Sequence, residues 1–205
     1  SASAFEGASP PHLNQDLERR METEPVKLHT LAVLVENSSG VLSQVSRLFS
    51  RKGYNIDSLA VGPTDDPSVS RITIEVTTDE GRAKLLCNQL RKLLPVHSVR
   101  DLTDRPSLHR ELMLVKVRMP STDAQTRIIE IASIFRASVV DMNPQCLTLA
   151  VIGDDEKAAA LQKMLEEFGI MELARTGTVA LERGPHTITE QTKMKDEFDY
   201  GKNVL

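Results

Sequence analysis

The stretch "VENSSGVLSQV" is the first place in this sequence where residue types and spacing point to chemistry, with Asn37, Ser38, Ser39 and Gly40 separating an apolar run from an amphipathic one. A strand that passes through such a turn directly into a helix aims the helix's unpaired first-turn amides at whatever occupies the turn, and a helix N-terminus favours a negative group. Gly40 suits that use because, without a Cβ, it reaches positive φ and lets a ligand approach the backbone. Phosphate loops usually add a Lys or Arg, as in GxxxxGK; this turn has neither, and the nearest basic residue, Arg47, lies roughly two helical turns on. A carboxylate fits better. Asn37 adds a side-chain carbonyl to accept from an ammonium and an amide to donate to a carboxylate, so the group suits a zwitterionic amino acid. The same residues also serve plain helix capping and a tight turn, and the turn taken alone leaves both uses open.

Other chemistry finds little support. His12, His29, His97, His109 and His186 are scattered, no two at i, i+4 and none beside a cysteine, so no catalytic residue and no metal site is assigned. Asp65 and Asp66 flank prolines, where turn formation is their natural use. Cys87 and Cys146 lie far apart with no CxxC spacing, which fits small core residues in a reducing compartment. The formal net charge of −4, from 25 Lys and Arg against 29 Asp and Glu, argues against nucleic acid and anionic membranes as partners. With two Tyr, five Phe and no Trp there is no set of aromatics for base stacking, and there is no apolar run of about 20 residues to span a bilayer.

The elements that must position the turn follow from periodicity. "HTLAVLVEN" reads as a buried strand, and "VLSQVSRLFSRK" places Val41, Leu42, Val45, Leu48 and Phe49 on one helical face, with Ser38 or Ser39 to cap its start and Gly53 to stop it. "YNIDSLAV" and "VSRITIEV" read as a hairpin across the "GPTDDPS" loop. "DEGRAKLLCNQLRKLL" follows as a helix turned inward on Ala83, Leu86, Leu90 and Leu93, ended by Pro95 before the strand "VHSVRDL". The order β-α-β-β-α-β then recurs about 80 residues on: "ELMLVKVRM", a helix with Ile128, Ala132 and Phe135 inward, "SVVDM" and "CLTLAVI", "DEKAAALQKMLEEF", and one final strand "IMELARTGTVALE". The expected fold is α+β, two ferredoxin-like βαββαβ units of sheet with helices on one face. The expected division is a flexible leader over residues 1–28, a first unit over 29–104, a second over 109–184 and a polar tail over 185–205. In that tail Phe198, Tyr200, Val204 and Leu205 are candidates to dock on a partner.

"VENSSGVLSQVSRLFSRKGYNIDSLAVGPTDDPSVSRITIEV" closely resembles the amino-terminal ACT domain of the regulatory (small) subunit of acetohydroxyacid synthase, or acetolactate synthase. "RELMLVKVRM", "EIASIFR" and "IFRASVVDM" resemble the same family, so the likeness runs from about His29 to Gly184. It implies a non-catalytic protein whose ACT domains pair as a homodimer and bind a feedback amino acid, valine, leucine or isoleucine, at the pair's interface. Carried over, the family's effector site falls on Asn37, Ser38, Ser39 and Gly40 with Val41 and Leu42 beside them, and on Asn55, reaching across the interface, with its neighbour Ile56. Val41, Leu42 and Ile56 would supply the apolar wall an aliphatic effector needs.

The second unit departs from this pattern, since "PSTDAQTR" carries Pro120 and no glycine, and no second effector site is expected there. The resemblance gives that unit the contact with the catalytic subunit, which would carry thiamine diphosphate, Mg²⁺ and FAD, with no cofactor on this chain. The leader is similar to those of plant versions, whose precursors hold two regulatory repeats behind a plastid transit peptide. That implies the plastid stroma, or the cytoplasm for a bacterial source. The rival readings are an ACT-type sensor of another amino acid and a pure oligomerisation scaffold.

Overall fold

The computed structural model of the chain describes residues 25–189. The leader up to residue 24, with His12, and the tail from 190, with Phe198, Tyr200, Val204 and Leu205, lie outside the described residues.

The first unit runs β1 (Lys27–Glu36), α1 (Val41–Lys52), β2 (Ser58–Pro63), β3 (Val69–Thr78), α2 (Glu80–Leu90) and β4 (Val96–Asp101). Its antiparallel sheet has the order β2-β3-β1-β4. Alternation along the strands decides the faces: Leu31, Val33, Val35, Ile72, Ile74 and Val76 meet Val45, Leu48, Phe49, Leu86 and Leu90 of the two helices in one aliphatic core. Lys27 and Leu28, expected in the leader, already pair with Thr78 and Thr77.

The second unit repeats the order. β5 (Ser107–Arg118), α3 (Thr122–Ile134), β6 (Ser138–Met142), β7 (Cys146–Gly153), α4 (Asp155–Leu165) and β8 (Ile170–Arg175) build a sheet ordered β6-β7-β5-β8. Met113, Val115, Val117, Leu147, Leu149 and Val151 pack under Ile128, Ile131, Leu161 and Leu165. Both units are thus ferredoxin-like, as expected.

The end of the chain differs from expectation. "IMELARTGTVALE" is two strands, because Gly177 at φ +80 turns the backbone between β8 and β9 (Val179–Glu182). While β8 pairs with Met113–Val117 of β5, β9 pairs with Ser107–Arg110 at the other end of the same strand. That ribbon lies on the helix-free face of the first sheet, where Ala32, Leu34 and Leu102 pack with Ala180 and Ile188. Residues 185–189, expected to begin a polar tail, therefore contribute to the fold: Ile188 is 8% exposed and its carbonyl accepts from Ser98 Oγ at 2.8 Å. The helix-free face carries the polar residues Thr30, Thr73, Glu75, Ser98 and Arg100, all of which are buried.

Two arginines at the ribbon share one carboxylate. Arg100, 7% exposed, meets Glu182 at 2.6 Å, and Arg105 meets the same carboxylate at 3.0 Å. Hydrogen bonding from Arg100 holds the Glu182 carboxyl below its ordinary range. A carboxyl whose folded pKa is depressed stabilises the fold above its unfolded value, and that contribution is lost as pH falls through the folded value. The stability difference between wild type and Glu182→Gln is accordingly expected to be fully present at pH 7 and to shrink from about pH 4.3 downward. Urea midpoints across pH 7 to 3 check this, and a difference that stays constant would refute it.

Candidate functional site

The Asn37–Gly40 turn sits where β1 ends and α1 begins. Gly40 is the residue before the helix, at φ +86, ψ −9, a left-handed conformation that L side chains rarely adopt. Its carbonyl already accepts the first helical bond, from Gln44 N at 3.1 Å. No side chain caps this helix and no acidic residue stands in its first turn, so the expected cap from Ser38 or Ser39 is not made. The reason is conformational: a serine cap needs extended backbone at the position next to the helix, and Gly40 holds that position in the left-handed region.

The other three α-helices are closed. Asp79 accepts from Arg82 N, Ser121 from Ala124 N and Asp154 from Lys157 N. Ser121 thus occupies the second unit's equivalent position with its own hydroxyl, which agrees with the absence of a glycine turn there. Among the described helices, α1 alone presents an open, glycine-led N-terminus.

Asn37 is fixed from behind. Its backbone N–H donates to Ser68 O at 2.7 Å and its side-chain Nδ2 to Pro67 O at 2.8 Å. The β2–β3 loop is itself braced, with Asp66 Oδ1 accepting from Ser68 N and Oγ at 2.8 and 2.7 Å and Thr64 Oγ1 donating to Val69 O at 3.1 Å. Those Ser68 bonds pull the Asp66 carboxyl below its ordinary range. Asp66 is therefore a turn former. One of the two amide N–H groups of Asn37 is committed to Pro67, which leaves the second N–H and the side-chain carbonyl for other partners. Sequence reasoning missed this brace, for which the Asp-Asp-Pro-Ser string was the available signal.

The two apolar neighbours, both expected on the core face of α1 and both beside the ligand, part ways: Val41 is 4% exposed and packs in the core, whereas Leu42 is 41% exposed. The first helical residue turns inward while the second stays outside, so Leu42 alone can form a wall beside the turn. Asn37, Ser38, Ser39 and Gly40 thus form one exposed loop, with Leu42 beside it in the first turn of α1.

Asn55 and Ile56 are not with them. They follow Gly53, the left-handed C-cap whose N–H returns to Phe49 and Ser50 carbonyls, and they precede β2 rather than lying in it. Twelve helical residues at 1.5 Å each put about 18 Å between the two ends of α1. Asn55 is exposed, with Nδ2 donating to Asp57 Oδ1 at 3.2 Å, and Ile56 is half-buried against the first core.

Elsewhere the chain offers little reactive chemistry. Cys87 is buried and burial pushes its thiol up to about 11; Cys146 is also buried. Among the described residues no group of three or more His, Cys, Asp or Glu is arranged to hold a metal, and no helix is long and apolar enough to cross a membrane.

Comparison with known proteins now bears on this geometry. Residues 31–98 match the family model described as an AHAS small subunit-like ACT domain, and residues 110–184 match that of the small subunit of acetolactate synthase. The acetolactate synthase small subunit of Aquifex aeolicus is 43% identical over 165 residues, spanning 80% of this chain and 86% of that one. Acetolactate synthase small subunit 2, chloroplastic, of Arabidopsis thaliana is 45% identical over 163 residues, 79% of this chain but 34% of that longer protein. The crystal structure of the Thermotoga maritima small subunit superposes with a TM-score of 0.72 at 31% identity, covering 78% of this chain and 99% of that one. With both units matched, in order, by one family, this chain belongs to the acetolactate synthase small subunits.

Proposed function

We propose that this chain is a non-catalytic regulatory subunit, which raises the activity of an acetolactate synthase catalytic subunit and passes to it feedback inhibition by valine, leucine or isoleucine. The observation that carries the reading is the open N-terminus of α1, led by Gly40 in the left-handed region and flanked by Asn37, where the other described α-helices all close their N-termini with side chains. An effector carboxylate would take the first-turn amides, its ammonium the Asn37 carbonyl oxygen, and its aliphatic side chain the face of Leu42.

A homodimer would complete the site. β2 is the outermost strand of the first sheet, with Asn55 just before its start and the Asn37 turn near its end, where Thr64 and Pro67 lie. Two copies pairing antiparallel along β2 would exchange those ends, setting Asn55 and Ile56 of one beside the turn of the other. The separation of about 18 Å within one chain is what requires the second copy. Effector binding would then favour one arrangement of the dimer, and the second unit would present that arrangement to the catalytic subunit. Thiamine diphosphate, Mg²⁺ and FAD are assigned to that partner. The resemblance to a chloroplastic relative of which the match spans only 34% favours the plastid stroma and one regulatory repeat of a longer protein.

Calorimetric titration with valine, leucine and isoleucine, beside Asn37→Ala, tests the reading. Saturable binding of at least one amino acid is expected, weakened at least tenfold in the variant. Absence of heat with all three, or a reconstituted holoenzyme indifferent to saturating valine and leucine, would overturn it.

A further inference from the structure

Where β2 leaves the effector region it touches the second unit through backbone. Gly177 lies so close to it that a Cβ there would stand 2.7 Å from Leu59 O, 3.0 Å from Leu59 C and 3.2 Å from Ser58 Oγ. Its φ of +80 already excludes most side chains, so conformation and contact independently demand glycine. The next residue, Thr178, is 4% exposed and its N–H donates to Ser58 Oγ at 2.9 Å.

Each side of this contact leads somewhere specific. On the first unit, Ser58 is three residues from Asn55, and the segment between them is tied down by Asp57 N donating to Glu75 O at 2.8 Å and by Asn55 Nδ2 on Asp57 Oδ1. On the second, Thr176 N donates to Leu112 O at 3.0 Å and Thr176 Oγ1 accepts from Leu112 N at 3.0 Å. Arg175 then binds Glu111 of β5, with Nε to Oε2 at 3.1 Å, and also Asp155 in the first turn of α4. Beside these contacts lies a cleft of about 520 Å³, lined by Asp57, Ser58, Glu111, Arg175 and Thr176 among others, while the broader contact between the units is the β9 ribbon with Ile188 over the helix-free face. A small shift at Asn55 thus has a short route of its own to the second unit, through Ser58 to Gly177 and Thr178, beside that broader cover.

We infer that the Thr176–Thr178 turn against Ser58 and Leu59 is the coupling element that carries effector occupancy from the first unit to the second, Ser58 and Gly177 being positioning residues that touch no ligand. This rests on the effector reading above. A coupling route is established only when binding and response separate experimentally, and this contact is small enough to be cut alone.

The test uses regulatory chain reconstituted with its catalytic subunit, and Ser58→Ala, Ser58→Thr and Gly177→Ala. For Ser58→Ala, valine affinity measured calorimetrically is expected within threefold of wild type and activation of the catalytic subunit within twofold. The valine concentration for half-inhibition should rise at least fivefold, or maximal inhibition fall by as much, and Ser58→Thr, which keeps the hydroxyl, should restore it. Hydrogen exchange at the Thr178 amide should respond to valine in wild type and not in Ser58→Ala. Inhibition unchanged in Ser58→Ala would overturn the inference. So would a parallel loss of valine binding, which would place Ser58 in the site, or of activation, which would make the contact merely structural. Gly177→Ala repeats the pattern where it folds, and Ser58→Ala decides where it does not. A wild-type holoenzyme that valine neither binds nor inhibits would instead remove the effector reading itself, before any variant is compared.

Discussion

Gly40→Val should leave an active, correctly folded subunit that no longer relays valine, with the effector concentration for half-inhibition raised at least tenfold and activation of the catalytic subunit preserved. Space is not the obstacle, since a Cβ at Gly40 meets nothing within 4 Å. Conformation is: the residue sits at φ +86, where an L side chain costs about 1–2 kcal/mol and a β-branched one more. The chain relieves that strain by moving the turn out of the left-handed region, and the first amides of α1 swing away from the point they now share with Asn37. Gly40→Asn separates conformation from bulk, because asparagine tolerates left-handed backbone and should keep most of the response. Equal loss in both variants would mean that the added side chain, rather than the backbone angle, blocks the site. Activity assays of the reconstituted enzyme across a valine series provide the measurement.

Phe49→Ala is expected to carry the largest stability cost of any single truncation in the first unit, about 3–5 kcal/mol. The ring is 1% exposed and meets Tyr54 edge-on, centroids 5.9 Å apart at 67°. Tyr54 in turn donates its hydroxyl to Arg82 O at 3.1 Å, lies 4.8 Å beneath the Arg82 guanidinium, and returns its N–H to Phe49 O at 3.0 Å. Removing the ring opens a cavity under the end of α1 and releases the residues that lead to Asn55. Urea unfolding at unchanged m-value reads the loss; a cost below about 1 kcal/mol would show that α2 collapses into the space.

The legibility of this fold in its sequence varied with the physics behind each element. α1 is legible from end to end because two glycines bracket it, Gly40 before and Gly53 after, and both are left-handed. The 2-residue alternation of β3 and the aliphatic run of β1 identify their strands, since one face of each must be buried. Leu42 was misplaced because a 12-residue helix with apolar residues at positions 1, 2, 5, 8 and 9 does not reveal which of the first two faces the core. The Asn37–Gly40 turn is legible as an anion-suited helix start, whereas the meeting of Ser58 and Gly177 is not: 119 positions apart, they meet only through topology, and a glycine between threonines gives no hint of what lies against it. β9 escaped for a related reason. Val179 and Leu181 remain exposed while Ala180 is buried, so the inward signal of that strand is a single alanine.

The ribbon on the first sheet also bears on how the chain is made. Ala32, Leu34 and Arg100 leave the ribosome well before their cover, Ala180, Glu182 and Ile188, is translated. Between Leu102 and Glu182 lie roughly 80 residues, or about 4–16 s of synthesis at typical rates of about 5–20 residues per second. For that interval the nascent first unit holds its helices against one side of a sheet whose other side is bare and whose buried arginine has no counter-charge. That side closes only once Ile188 has been made, and ribosome-bound chains ending before Ala180 leave the sheet bare on that side.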